Sequence, residues 1–148
     1  MTIPLDVQEL SDKIKERFPG AVEEVSENHV LLKRETLQDI ARFCHDTPGL
    51  ELDFLVSITG VDYIDYFEVV YHLASIKHNH SVVLKTRAYG REDPTVPTLT
   101  GIWQGADLQE REVYDLMGIT FDSHPNLKRI FLWEGFPGYP HRKDFTGA

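Results

Sequence analysis

Three stretches in the middle of the chain alternate apolar and polar residues with a period of two, and the segments joining them are very short. Leu52, Phe54, Val56 and Ile58 form the first, Phe67, Val69, Tyr71 and Leu73 the second, and Val82 and Leu84 the third, alternating with Val83, Lys85 and Arg87. Residues two apart in an extended strand share one face, so each stretch can bury one side and leave the other in water. The connections at Asp62–Asp65 and Ser75–His80 suit antiparallel neighbours, because a parallel crossover needs about a dozen residues or more. The middle of the chain therefore reads as an antiparallel meander.

Helical patterns flank it. Val7, Leu10, Ile14 and Phe18 recur at helical spacing over residues 5–18, with Asp6 and Glu9 resembling a capping box and Pro19-Gly20 as the stop. Ala21–Val25 and His29–Lys33 read as a small hairpin around Ser26-Glu27-Asn28. Thr36 is placed to cap a second helix whose Leu37, Ile40, Ala41 and Cys44 share a face, ending at Thr47-Pro48-Gly49. Cys44 on that face reads as a packed core thiol rather than a nucleophile. A third helix covers Asp107–Met117, after a proline-containing loop at Arg91–Pro97. The expected fold is α+β: a two-layer sandwich with an antiparallel sheet covered by helices, followed by an extended C-terminal arm.

The arm follows from composition. Beyond Gly118, Pro125, Pro137 and Pro140 are interspersed with Gly135, Gly138 and Gly147, a spacing that neither a helix nor a central strand tolerates. Ile130, Phe131, Leu132, Trp133, Phe136, Tyr139 and Phe145 give it far more apolar area than a solvated linker carries. Charge divides at the same point. Residues 1–123 hold 11 Lys or Arg against 22 acids, whereas four basic residues face two acids from His124 onward. The expected organisation is an α+β domain over 1–123 and a docking arm over 124–148.

The whole chain carries a formal charge of −9, which disfavours nucleic acid as a partner because neutralising phosphates needs a clustered positive field. One cysteine cannot by itself form a disulfide or ligate an iron–sulfur cluster. No apolar run approaches the ~18–20 residues that span a bilayer, and the N-terminus lacks the order of a secretory signal, so the chain reads as cytosolic in type, without a membrane span.

On the third helix one acid breaks the pattern. At roughly 100° per residue, with Leu108 at zero, Leu116 falls at about 80° and Val113 at about 140°, placing Glu112 at about 40° between the two leucines. A carboxylate on an apolar stripe must be paired or kept protonated. The expectation is an ion pair from Glu112 to Arg129 or Arg142 of the arm; the alternative is a general acid or base. Asp107, Arg111 and Asp115, four apart, form a surface charge ladder in the same reading.

Here a family becomes visible. Glu110-Arg111-Glu112, then Asp115-Leu116-Met117, His124, Lys128 and Ile130-Phe131 resemble the signature of the thirty-kilodalton subunit of respiratory-chain NADH dehydrogenase, also called the C-type subunit of NADH-quinone oxidoreductase. Pro140-His141-Arg142-Lys143-Asp144-Phe145 is similar to that family's closing motif, with His141 where leucine is usual, and Leu108 stands where the family often has tryptophan. Thr59–Tyr63 and Phe67–Leu73 look like its strand pair. The resemblance implies a cofactor-free subunit in the peripheral arm of a membrane-associated NADH-quinone oxidoreductase, on the cytoplasmic face. Its implied partners are the large subunit of the forty-nine-kilodalton type and a cluster-bearing small subunit, with iron–sulfur clusters and quinone or other redox cofactors on those chains. Related subunits in membrane-bound hydrogenases and F420 dehydrogenases are the alternative.

On that reading Glu110, Arg111, Glu112 and Asp115 fix the helix to the arm, His124, Lys128 and Arg129 set the turn, and Arg142, Lys143 and Asp144 contact a partner. A different class, a small independent enzyme, would use His124, Glu112 or Asp62 for acid/base work, or a metal held by His78 and His80. It lacks a third ligand near that pair.

Overall fold

The computed structural model describes residues 2–146. Helix α1 (Val7–Arg17) starts where the Asp6 carboxylate accepts from the amides of Gln8 and Glu9 at 2.9 and 3.2 Å, and buries Leu10, Ser11 and Ile14. Strands β2 (Val22–Val25) and β3 (Val30–Leu32) form the first hairpin. Helix α2 (Leu37–Asp46) buries Leu37, Ile40, Ala41 and Cys44, as the spacing predicts. Thr36 stands at its cap position, but its hydroxyl donates backwards to the Lys33 carbonyl at 2.8 Å. Burial pushes the Cys44 thiol up to about 12, so it packs and does not react.

The meander is β4 (Phe54–Asp62), β5 (Phe67–Ser75) and β6 (His80–Ala88), antiparallel throughout. The complete sheet is mixed: the expected antiparallel pairing holds for the meander, and parallel pairings join it. Its order is β2-β3-β6-β5-β4, with β3 parallel to β6, and β1 (Ile3–Pro4) also runs parallel to β6. The physical reason is α2: it carries the chain from β3 to the opposite edge, so the meander returns to β3 in the parallel sense. Two three-residue strands, β7 (Thr95–Pro97) and β8 (Thr120–Asp122), pair in parallel beside it. Neither has enough residues to show a period.

All three helices contribute to one core. Leu10, Ile14, Leu37, Ile40, Val113 and Met117 meet Phe67, Val69, Tyr71, Leu73 and Leu84 there. The other face of the sheet stays open: Val70, Val83, Lys85 and Arg87 are half-buried and His72 is exposed. Helix α3 (Ala106–Met117) lies close against β4 because Gly60 lacks a side chain. A Cβ there would stand 3.0 Å from Val113 Cγ1 and 3.2 Å from Met117 Cγ. Gln109 Oε1 accepts from the Ile58 amide at 2.7 Å, occupying a donor of this edge strand.

Candidate functional site: the last helix and its arm

Helix α3 buries Ala106, Glu110, Val113, Asp115 and Met117. Two of those five are acids, and each is satisfied differently. Glu110 accepts from the Thr98 hydroxyl and from the Leu99 amide at 2.7 Å, which ties the loop after β7 to the helix. Asp115 turns toward the arm. Its Oδ2 accepts from the amides of Ile130, Phe131 and Leu132 at 3.1, 2.7 and 3.2 Å, and its Oδ1 lies 3.4 Å from the Arg129 guanidinium. Three amides converging on one carboxylate fix a backbone that has no strand or helix of its own.

Glu112 does not play this part. Leu108 is 58% exposed, so the helix is rotated relative to the expected stripe, and Glu112 faces outward with it. The phase misleads because Leu108 lies on the outer side, while the inner side carries acids whose hydrogen bonds offset their burial. Accordingly, among the described residues Arg129 pairs with Asp115, and neither it nor Arg142 forms an ion pair with Glu112.

The remaining signature residues form a continuous clasp. Arg111 donates from Nε to the Lys128 carbonyl at 3.0 Å and from Nη2 to the Arg129 carbonyl at 3.3 Å. Lys128 contributes that carbonyl, and its side chain is exposed. The buried His124 ring accepts the Asn126 amide on Nδ1 at 2.9 Å, which leaves Nε2 to donate to the Asp107 carbonyl at 3.1 Å. Arg129 reaches the carbonyls of Asp115 and Gly138 at 3.3 and 2.9 Å and lies 4.7 Å from the Tyr139 ring centroid.

Further along, the His141 amide donates to Leu116 O at 2.8 Å, and Arg142 donates to Met117 O at 2.6 Å, Gly118 O at 3.3 Å and Arg91 O at 2.8 Å. The arm thus caps the carbonyl end of α3 with cations, the charge its dipole favours. Gly118 closes the helix at φ +74, and a Cβ there would meet Arg142 Nη2 and Tyr139 Cδ2 at 2.6 Å.

The far end of the arm is held by a pair that the sequence does not connect to it. Asp62, buried at the end of β4, receives Arg91 on both oxygens at 2.9 and 2.8 Å and the Lys143 amide at 2.9 Å. Arg91 also donates to Asp144 at 3.1 Å. So the Arg142 guanidinium, the Lys143 amide and the Asp144 carboxylate are engaged within the chain, while the side chain of Lys143 is exposed. A strand-ending aspartate and an arginine 29 residues later carry no sequence signal of their pairing. Residues 147–148 of the expected arm lie outside the described residues.

The acid/base candidates inside the fold are all engaged. Glu110 and the His124 ring are fully enclosed and 4.0 Å apart, and Asp62 is paired to Arg91. His78 and His80 stack at 5.5 Å and bond Glu51 Oε1 and the Leu50 carbonyl, each at 2.9 Å. Among the described residues no three His, Cys, Asp or Glu come together as a metal-binding group, and no helix is long and apolar enough to cross a membrane.

Burial pushes the Glu110 carboxyl up to about 7, against the lowering effect of Thr98 and Leu99. A carboxyl that binds its proton more tightly when folded favours folding while protonated. Its contribution is full below its ordinary value of 4.5 and is lost as pH rises through about 7. The expected loss from this one group is about 3 kcal/mol, and Glu110→Gln should flatten that limb. Urea unfolding of both proteins from pH 4.5 to 8 measures it; parallel profiles would contradict the assignment.

Residues 30–148 match the family described as "Respiratory-chain NADH dehydrogenase, 30 Kd subunit". The chain belongs to this family. The C-type subunit (form 2) of the NADH-quinone oxidoreductase of Rhizobium meliloti (strain 1021) is 45% identical over 135 residues, covering 86% of this chain and 73% of that protein. The C-type subunit of Roseiflexus sp. (strain RS-1) is 39% identical over 147 residues, covering 95% and 84%. Among solved structures, a chain of the membrane-bound sulfane sulfur reductase, an archaeal respiratory membrane complex, superposes with a TM-score of 0.75 at 25% identity, over 93% of this chain and 84% of that one. A trypsin-resistant fragment (1–134) of Nqo5 gives 0.58 at 30% identity, over 83% of this chain and all of that one. As a member of this family the chain is one component of a respiratory oxidoreductase with further subunits.

Proposed function

We propose that this chain is a cofactor-free structural subunit of the peripheral arm of a membrane-associated NADH-quinone oxidoreductase. On this reading it sits at the cytoplasmic face and docks on the large subunit of the forty-nine-kilodalton type, beside the cluster-bearing small one. Electron transfer then runs through iron–sulfur clusters and quinone held by those partners. The docking surface is the arm, 124–148, with the outer face of α3.

One observation carries the reading. The arm backbone is pinned by Asp115, yet Phe131 and Trp133, on either side of the last pinned amide, are 63% and 64% exposed. Fixed backbone with outward aromatics is the arrangement of a preorganised interface, since ordering costs are met before the partner arrives and buried Trp is a usual anchor. Leu108 on α3 is a further exposed apolar side chain, and Glu112, Lys128 and Lys143 are exposed charges available to a partner.

The names of the curated relatives support the NADH-quinone complex over a hydrogenase or F420 dehydrogenase. Similarity to the archaeal sulfane sulfur reductase chain favours the second reading, an equivalent subunit in a related complex. The test is binding of the Phe131→Ala/Trp133→Ala variant to the isolated large subunit. Affinity should fall at least about 30-fold, the scale of an interface hot spot, with an unchanged unfolding midpoint. Undiminished binding would refute the docking assignment.

A further inference from the structure

The β4–β5 turn has a feature that folding alone does not explain. Ile64 lies at φ +73 and is 59% exposed. A β-branched residue is disfavoured there, where glycine or asparagine would serve, and an isoleucine more than half exposed buries little in return. The conformation is nevertheless held from both sides: the Ile64 amide donates to Asp62 Oδ1 at 2.8 Å, and its carbonyl accepts from Arg91 at 3.0 Å.

Around it stand three tyrosines in a row. Tyr63 and Tyr66 are 5.4 Å apart between ring centroids, and Tyr66 and Tyr89 are 5.7 Å apart, with Tyr63 45% and Tyr89 58% exposed. A guanidinium already occupies the middle ring, as Arg87 lies 4.3 Å from the Tyr66 centroid. The carboxylates of Asp65 and Glu92, exposed in the same two connections, have no hydrogen bond or ion pair among the described residues. The surface therefore offers aromatic faces, one strained apolar side chain and two carboxylates with no hydrogen bond or ion pair among the described residues.

We infer that this turn, Tyr63–Tyr66 with Tyr89, is a second docking surface, and that its occupant is a lysine-bearing segment of another subunit of the same complex. The cation would stack on Tyr63 or Tyr89 as Arg87 does on Tyr66, with Asp65 and Glu92 matching its charge. The inference rests on the chain being assembled with other subunits, and not on what the arm binds. Asp62 and Arg91 serve both places, holding the turn and the arm's far end, so the two surfaces have a fixed relation before assembly.

Hydroxyl-radical footprinting of the chain alone and within the purified complex tests this. Oxidation of Tyr63, Ile64 and Tyr89 should fall severalfold on assembly, and a carbodiimide should join Asp65 or Glu92 to a lysine of a different subunit. Equal oxidation in both samples would overturn the proposal. Protection without such a cross-link, or a cross-link only to a second copy of this chain, would overturn the basic occupant. Phe131 and Trp133 are read in the same samples, so failure of the arm's docking is scored separately.

Ile64→Asn supplies the second arm of the test. Because asparagine tolerates positive φ, the variant should unfold at the same or a higher temperature while its affinity for the rest of the complex drops about tenfold. Undiminished affinity would contradict a docking role for the turn.

Discussion

Replacing Asp115 with alanine is expected to cost about 3–5 kcal/mol of folding stability and to detach the arm from α3. The carboxylate is fully buried, and its loss strands the amides of Ile130, Phe131 and Leu132 and leaves the Arg129 guanidinium, whose side chain is only 12% exposed, without its counter-charge. Orphaned donors of that kind cost more than the bonds themselves contribute. Asp115→Asn keeps one carbonyl oxygen in place but removes the charge, so its loss should be about half as large. Denaturant titration gives the stabilities, and limited trypsin digestion gives the detachment, because Lys128 and Arg129 become cleavable once the arm lifts. A midpoint within the range of ordinary surface variants would sink the assignment. Glu112→Ala is the matched control; with its side chain in solvent, it should lie in that range.

Asp62→Ala should have the second largest effect, about 2–4 kcal/mol, at the opposite end of the arm. It removes both bonds to Arg91 and the acceptor for the Ile64 and Lys143 amides. The value is set below that of Asp115 because Arg91 is 30% exposed and water can take over part of its solvation. The Arg91 guanidinium holds the Asp62 carboxyl well below its ordinary value of 3.8, so this stabilisation is present above that pH and is lost as pH falls beneath it. Glu110 works in the other direction. Stability should therefore peak in mildly acidic solution, with the acid limb missing in Asp62→Ala and the neutral limb missing in Glu110→Gln. An acid limb that persists unchanged in Asp62→Ala would contradict the pairing.

Much of the fold is legible from local pattern. The alternating stretches and the first two helices each state their conformation within a few residues. What local pattern does not give is who pairs with whom, and this is why the parallel β3–β6 contact and the two short strands β7 and β8 escape it. The candidate site divides the same way. Periodicity puts Arg111 and Asp115 on an outer charge ladder, whereas Asp115 is buried against the arm; only the family resemblance groups Arg111, Asp115, His124 and Arg129, and the longest of their contacts, from Arg111 to Arg129, spans 18 residues. Asp62 and Arg91, whose partners stand 29 to 81 residues away, have no such signal.

A helical wheel gives Glu112 the arm-pairing place that Asp115 holds, for a physical reason. It assumes that leucine faces inward, yet Leu108 faces out and two acids face in. An outward leucine beside inward carboxylates is a local inconsistency of the kind expected where a surface serves binding as well as folding. Exposed Phe131 and Trp133 break the same rule on the neighbouring arm.

The central claim is that the arm is already formed on the chain's own helix before any partner arrives. Amide hydrogen exchange of Ile130, Phe131 and Leu132 in the isolated chain tests it most directly. Slow exchange at these three positions, comparable to the interior of α3 and abolished by Asp115→Ala, is the predicted result. Exchange at the rate of free loop amides would mean that the arm takes shape only on its partner, and would contradict the account.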